Sequence, residues 1–260
     1  MTWPEVRQAM AEGKRTAILA CGAVEQHGPH LPTGTDTYLG TAIAVRAARI
    51  AGNALVAPTL RPGLSEHHMH FPGSFTLRIE TFVSLLHDYC DSLARQGFER
   101  IVIFPSHGGN ADTLRAYGPI LARAQQGRCE VIVALRSATD SERLDALVAR
   151  NGISRGAAGV HAGYVETSMM LDDQPSLVRM DKAEPGRHDD DFYKPENIGH
   201  SQMQSFLEGI QTQSPNGILG DPTGSNAEAG DELLELVAQG LATEIAQVIA
   251  AQTQTTATST

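Results

Sequence analysis

Cysteine is scarce. Cys21, Cys90 and Cys129 are the only three in 260 residues, and no pair has CxxC spacing. An odd, scattered set argues against a disulfide framework or a thiolate cluster; each lies in or beside an apolar stretch, so buried free thiols are expected. Basic residues are also few: twenty Lys and Arg against thirty Asp and Glu give a formal charge of -10. No segment concentrates the positive charge that nucleic acid or an anionic membrane demands, which excludes both as expected partners. Long hydrophobic runs are missing, and the N-terminal MTWPEVRQAMAEGKR has no signal-type apolar core. These absences predict a soluble, cytoplasmic protein that meets a small-molecule substrate.

What is present is a core-forming composition, with 41% hydrophobic residues, enough for one sizeable domain. Strand-type apolar runs recur at Thr16 to Cys21, Ala54 to Ala57, Arg100 to Phe104 and Glu130 to Leu135. Helical patterns lie between them at TYLGTAIAVRAARIAG, IETFVSLLHDYCDSLARQG and NADTLRAYGPILARAQQG, the last opening on a capping Asn110. Such alternation predicts an α/β protein with a parallel sheet flanked by helices. Residues 172–225 are rich in Asp, Pro, Gly, Gln and Ser, with one short helix expected near HSQMQSFLEGIQ; this reads as an ordered excursion or a subunit contact. A last helix, AEAGDELLELVAQGLATEIAQVIAA, closes a single domain over residues 1–251, and residues 252–260 form a low-complexity polar tail.

Reactive groups in a parallel α/β sheet collect where strands end and loops lead into helices. Three polar clusters occupy such places. After TAILAC come Glu25 and His27, two residues apart and on one side of an extended chain, with Asp36 able to fold back across the GPHLPTG bend. After RIVIF comes PSHGGN, which puts His107 at a strand end beside Gly108 and Gly109. The third is VHAGYVETSMML, with His161 and Glu166 flanking a turn. Singly, each has a plainer role: His107 as a brace, Asp36 as an N-cap, Glu166 as a solvated side chain. Together they place metal-type ligands on three separate loops. GLSEHHMHFPGSFTL adds His67, His68 and His70. In extended chain His67 and His68 would point apart, whereas His68 and His70 would share a face, giving a pocket wall that presents one imidazole to substrate or to a neighbouring subunit.

Taken in order, EQHGPHLPTGTD, SEHHMHFPGS, SHGGN and HAGYVETSMML resemble the creatininase family of metal-dependent amidohydrolases, over roughly residues 15–175, with NGILGDPTGSNAEAG also similar. The resemblance implies a three-layer α/β/α fold around a central, mainly parallel sheet, two divalent ions per subunit and a homo-oligomer, often a hexamer. Carried over position by position, Glu25 and His107 ligate one ion, His27 the other, and Asp36 bridges both. Creatininase takes a further Glu two residues after the His of the SHGGN block; here that position is Gly109, and Glu166 of the ETS block is the expected replacement. His161 matches the proton-transfer histidine. Mixed carboxylate and imidazole ligands suit Zn²⁺ or Mn²⁺, with Fe²⁺ also open.

The resemblance also implies the chemistry: water activated by the ions attacks an amide or imine-like carbon, and His161, or less favourably His68 or Glu66, passes a proton to the departing nitrogen. Creatininase closes its pocket with tryptophans, but the only one here is Trp3, so a flat creatinine ring would lose its stacking walls. The expected substrate is a different small molecule with a non-peptide carbon–nitrogen bond, such as a cyclic amide or a formamide, read by His68, Gly108, Tyr164 and the 172–225 segment. Two alternatives remain open: a peptidase acting in cofactor maturation, and a small-molecule-binding module without catalysis.

Overall fold

A computed structural model describes residues 1–135 and 141–257. In chain order the elements are α1 (Trp3–Ala11), β1 (Thr16–Cys21), α2 (Thr35–Ala51), β2 (Ala54–Val56), α3 (Ile79–Arg95), β3 (Arg100–Pro105), α4 (Ala111–Ala124), β4 (Glu130–Val133), α5 (Ser141–Arg150), α6 (Arg155–Ala158), α7 (Tyr164–Asp173), α8 (Pro195–Glu208) and α9 (Ala227–Ala257). The four strands lie in the order β2-β1-β3-β4, every pair parallel, with Thr16 opposite both Ala54 and Arg100, and Arg100 opposite Glu130. Helices cover both faces, the three-layer arrangement that the sequence resemblance implies.

The strand side chains explain the layering. Successive residues point to opposite faces. Ile18, Ala20, Val102, Phe104 and Ile132 enter one core with α2, α7 and α9, while Leu19, Cys21, Ile101, Ile103 and Val131 enter the other with α3 and α4. A strand buried on both faces must be apolar throughout, which is why TAILAC and RIVIF read as continuous runs rather than alternations. Burying one such Leu or Ile contributes about 1.5–3 kcal/mol.

Several boundaries differ from the sequence expectation. β4 stops at Val133 rather than Leu135. α9 continues to Ala257, so residues 252–257 of the expected polar tail are helical. Helices α1 and α5 were not legible in the sequence; α1 buries only Ala9, too little apolar surface to leave a periodic pattern. Cys21 and Cys90 are buried free thiols, but Cys129, just before the short strand β4, is only half-buried. No described helix is long and apolar enough to cross a membrane.

The parallel sheet sends the ends of β1 and β3 to the same edge, bringing the Glu25 and His107 loops side by side. Ser106, just after β3, donates from Oγ to the Asp36 carbonyl at 2.9 Å. That bond depends on Gly40 of α2, where a Cβ would overlap the Ser106 side chain. Close approach of a helix to a strand end thus holds the first turn of α2 over the site.

Candidate metal centre

Five residues expected from the sequence converge on one buried point. Glu25 and His27 are fully buried, and Asp36 is 2% exposed. His107 Nδ1 lies 3.2 Å from Glu25 Oε1 and 3.8 Å from Asp36 Oδ2. His27 Nε2 lies 3.7 Å from Asp36 Oδ1 and 3.6 Å from Glu166 Oε2. Asp36 therefore turns one oxygen toward each histidine. Ligand-type atoms come within 4.8 Å of one another in three overlapping sets: His27, Asp36 and Glu166; Glu25, His27 and His161; and Glu25, His67 and His107.

Main-chain groups aim the rings. His27 Nδ1 lies 3.2 Å from the Glu25 carbonyl oxygen, and His107 Nε2 lies 3.1 Å from that of Leu64. Each carbonyl accepts the N–H, so the opposite ring nitrogen faces the cluster. Glu166, in the first turn of α7, accepts from the Ala162 N–H at 2.6 Å. Both Glu25 oxygens, His27 Nε2 and Asp36 Oδ2 are buried without a hydrogen-bond partner. Buried polar atoms are nearly always satisfied, so this convergence is the arrangement a cation would complete. The residues present fit a divalent metal: hard carboxylate and borderline imidazole donors, open toward one another.

The electrostatics agree. Burial alone would raise the Glu25 pKa, but the imidazoles of His107 and His68 outweigh it and hold this carboxyl well below its ordinary range. Burial and the neighbouring Glu25 charge push Asp36 well above the ordinary value, and burial raises Glu166. Although burial lowers the His107 pKa, Glu25 and Asp36 carry it up to about 10. Burial lowers His27, and burial together with His27 brings His161 down to about 4. Without a metal, then, protons share the charge of three crowded carboxylates.

Other expectations need correction. Asp36 is not a cap: Gly34 holds that position and no side chain caps α2. Asn110 does not cap α4 with its side chain either; its amide donates to the carbonyls of Cys21 and Gly22 and accepts from the Leu64 N–H, tying three loops under the site. Glu66–His68 is a 3₁₀ turn, not extended chain. His67 and His68 consequently lie together, with ring centroids 4.2 Å apart, and His68 and His70 part, one buried and the other exposed. His68 turns inward, with Nε2 3.2 Å from Glu25 Oε1, instead of lining a wall. Tyr164, expected to read substrate, is 1% exposed and packs in the core, because α7 turns it toward α2 and α9. Gly108 is exposed and faces open space.

Gln26 was missed by the sequence reading. It is 6% exposed and touches both His68 and His161; its place between Glu25 and His27 was the available signal. His161 is pinned by a bridge to Leu219, so the late NGILG segment also belongs to the site.

The chain belongs to the creatininase family, matching the family described as creatinine amidohydrolase over residues 1–245. It is 29% identical over 256 residues to the mycofactocin precursor peptide peptidase of Mycobacterium ulcerans (strain Agy99), covering 95% of this chain and 86% of that protein. It is also 29% identical over 255 residues to creatinine amidohydrolase of Pseudomonas putida, covering 94% of each. Its structure is similar to that of creatininase with Mn, at a TM-score of 0.76 and 27% identity over 95% of this chain and 96% of the other. A Zn-Zn form of a creatininase variant gives a TM-score of 0.75 at 27% identity, over 95% of each chain. Mn and Zn are the metals expected here from the mixed ligand set.

Proposed function

We propose that this chain is a metal-dependent amidohydrolase that cleaves the carbon–nitrogen bond of a small cyclic amide or formamide with water. The observation that carries the reading is the set of buried, unpartnered donor atoms on Glu25, His27 and Asp36. In this reading Glu25 and His107 would hold one ion and His27 and Glu166 the other, with Asp36 placed to serve both, since its two oxygens face His27 and His107. Divalent ions bound there supply Lewis acidity and a water acidified toward neutral pH. The chain's residues do the rest. His161, held through Nε2 at 2.8 Å by the Gln26 carbonyl, keeps Nδ1 turned inward, 3.7 Å from Glu25 Oε1. From there it would take a proton from the attacking water and pass it to the leaving nitrogen as the carbon–nitrogen bond breaks. His68 steadies the Glu25 carboxylate, and open space at Gly108 admits the substrate.

The lone tryptophan supports a substrate other than creatinine. Trp3 is 68% exposed on α1 and stacks with Arg7, so it supplies no wall to the cluster. A second reading, peptide cleavage, is favoured by the similarity to the mycobacterial peptidase, as high as that to creatininase. It also has an accessible rim: Met203, Phe206 and Leu207 of α8 are exposed, and Phe206 packs on His67 at 4.4 Å.

The test is a screen of cyclic amides, formamides and short peptides with Zn²⁺- or Mn²⁺-loaded protein, scored for released amine or carboxylate. Turnover of a small amide that disappears with chelation supports the first reading, and turnover of peptides alone supports the second. A protein that retains clearly less than one ion per chain after loading, and turns over nothing, overturns both.

A further inference from the structure

The side-chain amide of Gln26 meets four residues, three of them on distant segments. Its Oε1 lies 2.8 Å from the Gly28 N–H nitrogen. Its Nε2 lies 3.0 Å from the Gly217 carbonyl oxygen, 2.9 Å from His68 Nδ1 and 3.0 Å from His161 Nε2. A main-chain N–H only donates and a carbonyl only accepts, so the two main-chain partners orient the amide: oxygen to Gly28, nitrogen to Gly217.

That nitrogen has two hydrogens and three neighbours. His161 Nε2 also lies 2.8 Å from the main-chain oxygen of Gln26, which can only accept. His161 Nε2 therefore carries a hydrogen and cannot receive another. The two amide hydrogens go to the Gly217 carbonyl and to His68 Nδ1. A neutral His68 whose Nδ1 accepts has its hydrogen on Nε2, and that atom faces Glu25 Oε1 at 3.2 Å. A neutral His161 with hydrogen on Nε2 has a bare Nδ1, and that atom faces the same oxygen at 3.7 Å. Gln26 is 6% exposed and both histidines are buried, so bulk water does not compete for these bonds.

We propose that Gln26 is a positioning residue that sets the tautomers of two histidines at once: its side-chain amide places the His68 hydrogen on Nε2, the atom that faces Glu25, and its main-chain carbonyl leaves His161 Nδ1 bare toward the centre. The catalytic consequence rests on the hydrolase reading above. One histidine braces a carboxylate that holds metal, and the other offers a lone pair where a proton must arrive. Such supporting bonds change metal affinity or activity by about 10–100-fold when removed.

The experiment is solid-state NMR of zinc-loaded protein carrying ¹⁵N-histidine, with signals assigned by their loss in His68→Gln and His161→Gln. Both histidines are expected as Nε2–H tautomers. In Gln26→Met, His161 stays Nε2–H because its partner is main chain, whereas His68 shifts toward Nδ1–H. On an amide found in the screen, kcat of that variant is expected to fall about 10–100-fold with zinc content retained. An Nδ1–H tautomer at either histidine in the wild type overturns the proposal, as does a His68 signal unmoved in Gln26→Met. The wild-type spectrum decides even if the variant fails to fold. Wild-type protein that hydrolyses nothing yet shows both Nε2–H signals overturns the hydrolase reading while upholding the tautomer assignment.

Discussion

A Cβ on Gly109 would overlap Nε2 of His107 and the Leu64 carbonyl beside it. The position where the family resemblance implies a carboxylate is therefore closed here by the ring of a neighbouring ligand-type histidine. In the reading proposed above, Glu166, arriving from α7 with Oε2 3.6 Å from His27 Nε2, supplies the second carboxylate instead. Gly109→Glu is expected to displace His107, lower metal content and destabilise the fold by about 1–3 kcal/mol, the usual range for overpacking. Metal analysis and thermal unfolding check this; a stable variant with full metal would show that the loop relaxes freely.

Asp36→Asn keeps the shape of the side chain and removes its charge. Because Asp36 turns one oxygen to His27 and the other to His107, metal retention is expected to fall at both positions and turnover to disappear. Elemental analysis after gel filtration measures the first, and the amide assay the second. Full metal in this variant would mean that the bridging role is misassigned.

Glu166→Gln has a narrower effect. The amide oxygen can still accept from Ala162, so α7 stays in place, and loss of roughly one ion per chain is expected with the other retained. Calorimetric titration with Zn²⁺ should show one class of site where the wild type shows two. An unchanged titration would leave His27 and Asp36 sufficient by themselves.

Loading with metal is expected to release protons and to strengthen as pH rises. In the metal-free protein His107 is pushed up to about 10 from 6.5 and Asp36 well above its ordinary value; both must deprotonate to bind. The linkage has a definite sign. A raised histidine contributes stability that is fully present below about 6.5 and lost as pH climbs through about 10. A raised carboxyl likewise weakens the fold as pH rises above its unfolded value. The metal-free protein should therefore lose thermal stability between about pH 7 and 10, and the zinc-loaded protein should lose less. Melting curves of both forms across that range check it. Equal slopes would mean that protons and metal do not share these sites.

Much of this protein was legible in the sequence because its information was local. Strands buried on both faces must be apolar along their length, so TAILAC and RIVIF declared themselves, and turn-rich loops bearing Glu25, His27, Asp36 and His107 followed directly at their ends. The nearest misreadings came where local rules had competing outcomes. Asn110 and Asp36 look like caps by type, yet each spends its side chain on a distant segment. In extended chain His67 and His68 would point apart, but the pair folds into a 3₁₀ turn that places the rings together.

What the sequence by itself determined is the layered parallel fold, since it follows from patterns spanning a few positions; the candidate ligand residues it offered as an expectation carried by the family resemblance. Only the tertiary structure decided which oxygen meets which imidazole, that Gly109 has no room for a side chain, and that Tyr164 belongs to the core. It also decided that one glutamine joins Gly28, His68, His161 and Gly217. Hydrogen bonds act over about 3 Å, and no sequence spacing specifies contacts of that reach between segments brought together only by packing of the sheet and its helices.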